Sequence, residues 1–446
     1  MVKQILNKNR VRGNKLSLYI FVIVNLILFK QGEFLSAQVL FEEESVRIGN
    51  ITVQGNIKTK PEIIVRELEF KTGDLVQKDQ LELARKRIEN LNLFNRVIFN
   101  FEDIGEQKDL NIVVWERWYL YPTPIFFINE HDWNKLSYGL GVFHANFRGR
   151  GENLWFAGWF GYNPGLNFSY SNRWFGGRHR LYSNFSLRSQ KVESKTLIFP
   201  DQKEYHRSVS LLFGKKYGIH WYSDVEVKLK FINTDQRLSW GDRDNQDRVL
   251  GTMFKLQLDT RDLWQYPGKG NKISFSYSRS FLINGQAAFN KWQLDWRGYR
   301  TFWNIILAGR LFGETTQGHL PIYEHLYIGY GERVRGYFQK IYEGENRILT
   351  SVECRFPLLK ERYFQIPSDS WLISYFQQMN FGIYVTLFRD AGAVWYQKEK
   401  LNPNLWQSGM GIGLNFILPY SNILRLEYAF DESGQPEYIF DVNVAF

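Results

Sequence analysis

Groups able to do covalent or acid–base chemistry are sparse in this 446-residue chain. It has no Gly-x-Ser-x-Gly elbow, no His-Glu-x-x-His and no phosphate-binding loop, and its seven histidines show no metal-ligand spacing. Cys354 is the sole cysteine, so an internal disulfide and a cysteine metal cluster are both excluded. The chain does not read as an enzyme, and no cofactor is expected. Two short segments stand out instead. One is Gly331-Glu332-Arg333-Val334-Arg335-Gly336-Tyr337, and the other is Phe388-Arg389-Asp390-Ala391-Gly392, some fifty residues later. Alone, Val-Arg-Gly-Tyr fits a surface turn, and a short match acquires meaning only from its surroundings.

Composition narrows those surroundings. Aromatic residues make up 17% of the chain, with 15 Trp, 25 Tyr and 36 Phe, while mean hydropathy is only −0.36. Membrane β-barrels need that combination, since Trp and Tyr form girdles at both interfaces while polar residues line the interior. The net charge of +10 misleads as a sign of nucleic acid. Residues 1–37 hold six basic side chains and one acid, leaving 50 basic and 45 acidic residues and a net of +5. No compact basic tract survives, and a nucleic-acid partner is not expected.

Lys3, Lys8, Arg10, Arg12 and Lys15 precede an apolar run over 16–29, and Leu35-Ser36-Ala37 supplies a cleavage site. Residues 1–37 therefore read as a secretory signal. The run is shorter than the ~20 apolar residues a membrane anchor needs, and Asn25 interrupts it. An exported membrane protein without spanning helices should be a closed barrel, because lipid offers backbone groups no partners.

Residues 45–117 read as a small α/β unit. Val46, Ile48, Ile51 and Val53 suggest a strand closed by Gly55-Asn56, and Pro61 opens a short helix with Ile64, Val65 and Leu68. After Gly73-Asp74, Leu81, Ala84, Ile88 and Leu91 recur at helical spacing. Two strands follow, marked by Val97, Phe99 and Phe101 and then by the apolar run 110–114. This β-α-α-β-β order, with Gly55-Asn56 and Leu93-Phe94 in place, resembles a single polypeptide-transport-associated (POTRA) domain. Its strand edges would suit an extended client.

From 118 to 446 the sequence alternates between apolar and polar residues in short segments. Phe254, Leu256 and Leu258 alternate with Lys255, Gln257 and Asp259, and Leu424, Leu426 and Tyr428 alternate with Arg425 and Glu427. Such a period fits strands with lipid on one face and a lumen on the other. About sixteen segments are legible, the first near 120–129 and the last at 437–446, ending on Phe446. A final strand closing on an aromatic residue is the address that outer-membrane proteins present for insertion. One long loop, between segments at 302–313 and 346–357, contains Arg335. The expected fold is a 16-stranded antiparallel transmembrane barrel behind the POTRA-like domain.

With that context, the 331–337 segment resembles the VRG(F/Y) motif of the BamA/TamA outer-membrane assembly and translocation family. The 388–392 segment resembles the same family's F-x-D-x-G strand motif. The turns at 146–152 and at Asp259-Thr260-Arg261-Asp262, followed by Pro267, Gly268 and Gly270, resemble its other landmarks. The resemblance implies that Val334, Arg335, Gly336 and Tyr337 form a loop tip folded into the lumen. It further implies that Asp390 and Glu353 are inner-wall partners of Arg335, with Phe388 and Gly392 beside them. The general insertase of the family carries several POTRA domains and this chain has room for one, which favours an accessory or client-specific role.

The expected function is insertion of outer-membrane proteins or export of a client through a weak seam between the first and last strands. Pro122 and Pro124 would weaken the first strand, and Tyr438, Phe440 and Phe446 mark the last. Alternatives are a partner-specific secretion pore or a structural subunit. The expected setting is the outer membrane of a Gram-negative bacterium, with the POTRA-like domain in the periplasm. Expected partners are its lipids, unfolded clients and other subunits of an outer-membrane complex.

Overall fold

The computed structural model describes residues 45–446, apart from 106, 129–132, 200–201, 236, 241–244, 330, 338–339, 365–374 and 443–445. The signal expected over 1–37 lies outside the described residues.

In the small domain, β1 (Ser45–Gln54) runs parallel to β4 (Gln107–Glu116), which pairs antiparallel with β3 (Phe94–Ile104). On the other side of β1 lies β2 (Leu75–Gln77), giving the order β2-β1-β4-β3. The first helix, α1 (Pro61–Val65), opens on a proline whose fixed φ and missing N–H suit the first turn. The second, α2 (Lys78–Asn90), is started by a capping box in which the Gln77 N–H donates to Gln80 Oε1 at 3.0 Å. Ala84 and Ile88 on α2 pack with Ile64, Leu110 and Ile112 in the core. The unit is thus β-α-β-α-β-β, one strand more than the sequence pattern suggested. A three-residue strand with a single buried side chain, Val76, has no period to read.

A sixteen-stranded antiparallel sheet follows. It begins with β5 (Leu120–Ile128), β6 (Leu136–Phe147), β7 (Glu152–Gly161), β8 (Gly165–Phe175), β9 (Leu181–Glu193) and β10 (Lys203–Tyr217). It continues through β11 (Trp221–Asn233), β12 (Gln246–Asp259), β13 (Gly270–Leu282), β14 (Ala288–Phe302) and β15 (Ile305–Gly318). Residues 319–345 leave the sheet and carry a small hairpin of β16 (Leu326–Ile328) and β17 (Tyr342–Gly344). The sheet resumes with β18 (Asn346–Phe364), paired to β15, then β19 (Met379–Trp395), β20 (Trp406–Leu418), β21 (Asn422–Phe430) and β22 (Pro436–Val442). Side-chain direction follows the two-residue period. On β10, Tyr205, Val209, Leu211 and Phe213 are exposed, whereas Glu204 and Ser210 at the alternate positions are buried. Lipid satisfies the first set and a polar lumen the second.

The small domain sits against one end of the barrel, where the β6–β7, β12–β13 and β18–β19 connections hold it. Lys60 N–H donates to Gly149 O at 3.0 Å, and Asn146 Nδ2 donates to Thr59 Oγ1 at 2.9 Å. Lys86 pairs with Asp262 at 3.1 Å, while Asn90 donates to the Asp262 carbonyl and accepts from Trp264 N–H. Asn95 Nδ2 donates to the carbonyls of Tyr375 and Gln377. The two turn motifs singled out at 146–152 and 259–270 are therefore docking points for the domain in front of them.

This contact has a built-in pH dependence. Burial pushes the Glu89 carboxyl up to about 7, against the pull of its Arg85 partner, and Glu82 and Glu361 push in the same direction. A carboxyl raised above its ordinary value makes the folded state bind a proton. Its cost is absent in acid, grows as pH rises through that interval and is complete above pH ~7. On the order of 3 kcal/mol is at stake. Glu89→Gln is expected to raise the thermal midpoint near pH 8 and to leave it unchanged near pH 4.5. A midpoint gain that is the same at both pH values would show that charge at Glu89 is not the cause.

Candidate functional site

The tip of the 319–345 segment lies inside the barrel. Arg335 is only 3% exposed. Its Nε and Nη2 donate to the two oxygens of Asp390 on β19 at 2.6 and 2.7 Å, a bidentate arrangement. Its Nη1 donates to Glu353 on β18 at 2.7 Å and to Glu427 on β21 at 2.9 Å. The guanidinium also lies 3.7 Å from the ring centroid of Phe388, so the cation faces a π cloud as well as carboxylates. Among the residues nominated from sequence, Arg335, Asp390, Glu353 and Phe388 are in direct contact.

The remaining loop residues seat the tip. Val334 and Tyr337 pack with Phe312, Ile328, Leu349 and Val394. Gly392 on β19 faces Val334 and Ile328, where an added Cβ would lie 3.1 Å from each side chain. Gly336 has φ +96°, a conformation that glycine takes without strain, and its surroundings are as tight. Its N–H donates to Glu437 at 3.1 Å.

Sequence reasoning missed Glu427 as a partner and missed the second tier of charges. Glu353 is also held by Arg355 at 2.7 Å, and Glu427 by Arg425 at 2.9 Å. Arg425 in turn reaches Asp441 on β22, which also pairs with Arg333. Three buried arginines thus face three buried carboxylates, so the cluster is charge-balanced where solvent is scarce. Arg425 and Glu427 were legible as lumen-facing positions by alternation. Their convergence on a loop ninety residues away was not. A cavity of about 320 Å³ beside the cluster is lined by Arg310, Arg333, Arg425 and Asp441, among others.

The first and last strands have unusual edges. Among the described residues no ladder joins β5 to β22. The Ala145 N–H donates to the Tyr119 carbonyl at 2.9 Å, which sets the phase of the β5–β6 ladder. In an antiparallel pair such bonding alternates, so odd-numbered residues of β5 face β6 and Pro122 and Pro124 face away. On β22 the Asp431 N–H bonded to the Gln435 carbonyl sets the phase in the same manner, turning Pro436, Tyr438 and Phe440 to the free edge. Three prolines therefore stand where seam donors would be needed. Tyr438 and Phe440 are 83% and 70% exposed.

Phe446 departs from expectation. Among the described residues the strand anticipated over 437–446 is seen as far as Val442, and Phe446 is buried against Tyr299 and Ala308. Tyr299 Oη donates to its carbonyl at 3.0 Å. Inside the barrel this aromatic residue gains both packing and a hydrogen bond, which the unpaired outer edge does not offer.

Comparison with known proteins agrees with this architecture. A family model described as the Omp85 superfamily domain matches residues 146–445, and a POTRA model described as surface antigen variable number repeat matches residues 46–117. The chain is 22% identical over 321 residues to the outer membrane protein assembly factor BamA of Nitratidesulfovibrio vulgaris. That alignment covers 67% of this chain and 39% of the relative, so the chain spans well under two thirds of the length of this curated protein. Among solved structures, BamA from Haemophilus ducreyi lacking POTRA domains 1–3 superposes with a TM-score of 0.53 at 15% identity, covering 90% of this chain and 84% of the other. CdiB from Escherichia coli gives a TM-score of 0.55 at 11% identity, covering 89% and 75%. With a family match over most of its length, a sixteen-stranded barrel and a POTRA repeat ahead of it, the chain belongs to the Omp85 superfamily of outer-membrane proteins.

Proposed function

We propose that this chain is an outer-membrane scaffold that helps client proteins insert into the membrane or cross it through the β5–β22 seam. Its role is mechanical, with residues 45–117 in the periplasm as the domain that receives the client and residues 118–446 as the barrel. Arg335 acts as a latch that keeps the loop seated while the seam remains weak.

One observation carries the reading: Pro122, Pro124 and Pro436 remove donors from the two edges that would have to close. Closed pairing is weak, and an incoming strand that supplies its own N–H groups to the remaining carbonyls competes well. Restoring donors should strengthen the seam by about 0.5–1.5 kcal/mol for each bond regained. The variant Pro122→Thr/Pro124→Val is therefore expected to slow client insertion into proteoliposomes by roughly tenfold. An insertion rate equal to that of the unaltered protein, with the barrel folded, would reject the seam.

A further inference from the structure

We propose that an arc of outward-facing cations on β9–β13 binds the phosphate groups of a phosphorylated lipid in the leaflet away from the POTRA end. The alternation that directs Tyr205, Val209 and Leu211 toward lipid directs Lys203 and Arg207 the same way. Register carries the outer face across the sheet: Arg207 is opposite Phe231, and Phe231 is opposite Arg248. Arg207 and Arg248 are thus two strand spacings, about 10 Å, apart on one row. Lys191 on β9 is opposite Tyr205 and lies over its ring, and Arg279 on β13 is opposite Thr252, two outward positions from Arg248 toward the POTRA end.

Two features point to lipid phosphate. First, Lys203, Arg207 and Arg248 stand directly beyond an exposed apolar band of Val209, Leu211, Phe213, Val225, Val227 and Phe254, with Arg279 at the edge of that band on the row of Leu211 and Val227. A headgroup reaches that level when its acyl chains lie on the band. Second, carboxylates are scarce among the outward-facing strand positions. The outward positions of β9–β13 carry one acid, Glu193, which lies 4.0 Å from Lys135. Among the described residues Lys203, Arg207, Arg248 and Arg279 form no ion pair and are exposed. Four exposed cations that no carboxylate of the strands neutralises attract anionic headgroups at a membrane boundary. Guanidinium groups suit that task, since their fork matches phosphate oxygens.

The test uses the full chain in phosphatidylcholine nanodiscs doped with bis-phosphorylated lipid A, followed by native mass spectrometry of the released protein. Bound glycolipid should fall about fivefold for each cation removed in Arg207→Ser/Arg248→Ser. Arg248→Gln alone covers the case in which the double variant does not fold, with gel heat-modifiability as the folding check. Arg300→Ser removes an exposed cation from the opposite rim and should retain lipid as the unaltered protein does. Equal retention in the Arg207 and Arg248 variants, or an equal loss in Arg300→Ser, would overturn the proposal. So would complete displacement by inorganic phosphate, which would mark a free-anion site; retention through that challenge supports a lipid headgroup.

Discussion

Replacing Arg335 with Met is expected to unseat the 319–345 loop at a cost of about 3–5 kcal/mol. The magnitude follows from what is left behind. Glu353 keeps Arg355 and Glu427 keeps Arg425, but Asp390 loses both hydrogen bonds to its guanidinium. A buried carboxylate without a cation is the expensive element, rather than the loss of attraction itself. Arg335→Met/Asp390→Asn should therefore recover a substantial part of the loss. Arg335→Lys should fall between, because a single ammonium keeps the charge without the fork that grips both oxygens of Asp390. Hydrogen exchange at Val334 and Tyr337, read beside gel heat-modifiability of the barrel, measures the seating. Full protection of these amides in Arg335→Met would remove the latch from the account.

Much of this arrangement was legible in the sequence, and the reason differs by element. The barrel strands announced themselves because lipid and lumen impose opposite polarity on alternate residues, as Phe254, Leu256 and Leu258 show against Lys255 and Gln257. Arg335 was legible because its glycine and aromatic neighbours form a motif. Glu427 was not, because no local pattern says which of many inward acids will meet a given loop. Docking through Asn90, Asp262 and Asn146 was hidden for a similar reason: turn residues look alike whether they face solvent or another domain. The third seam proline, Pro436, needed the hydrogen-bond phase of β22, which only the ladder provides. Phe446 reads from sequence as the end of a strand. Its burial beside Tyr299 reflects a competition between an unpaired edge and a packed interior that no sequence period records.

The close fit between loop and wall leads to a second large effect, at Gly409 on β20. An added Cβ there would lie 1.9 Å from the Arg335 carbonyl oxygen, far inside contact distance. Backbone, unlike the end of a flexible side chain, has no rotamer by which to yield. Either the loop tip rises or β20 bends, and overpacking of this kind costs about 1–3 kcal/mol. The tip is the softer partner, since β20 is hydrogen-bonded along both edges. Gly409→Ala should therefore lift Arg335 away from Asp390 and expose the loop to protease while the barrel stays heat-modifiable. Gly313→Ala is the matched control, because nothing lies within 4 Å of its added Cβ. Gly409→Ala and Arg335→Met disrupt the same seating, so their combination should cost little more than the worse of the two. Strict additivity would mean that Gly409 acts on β20 alone, and the loop would then not be held by the fit of its backbone to the wall.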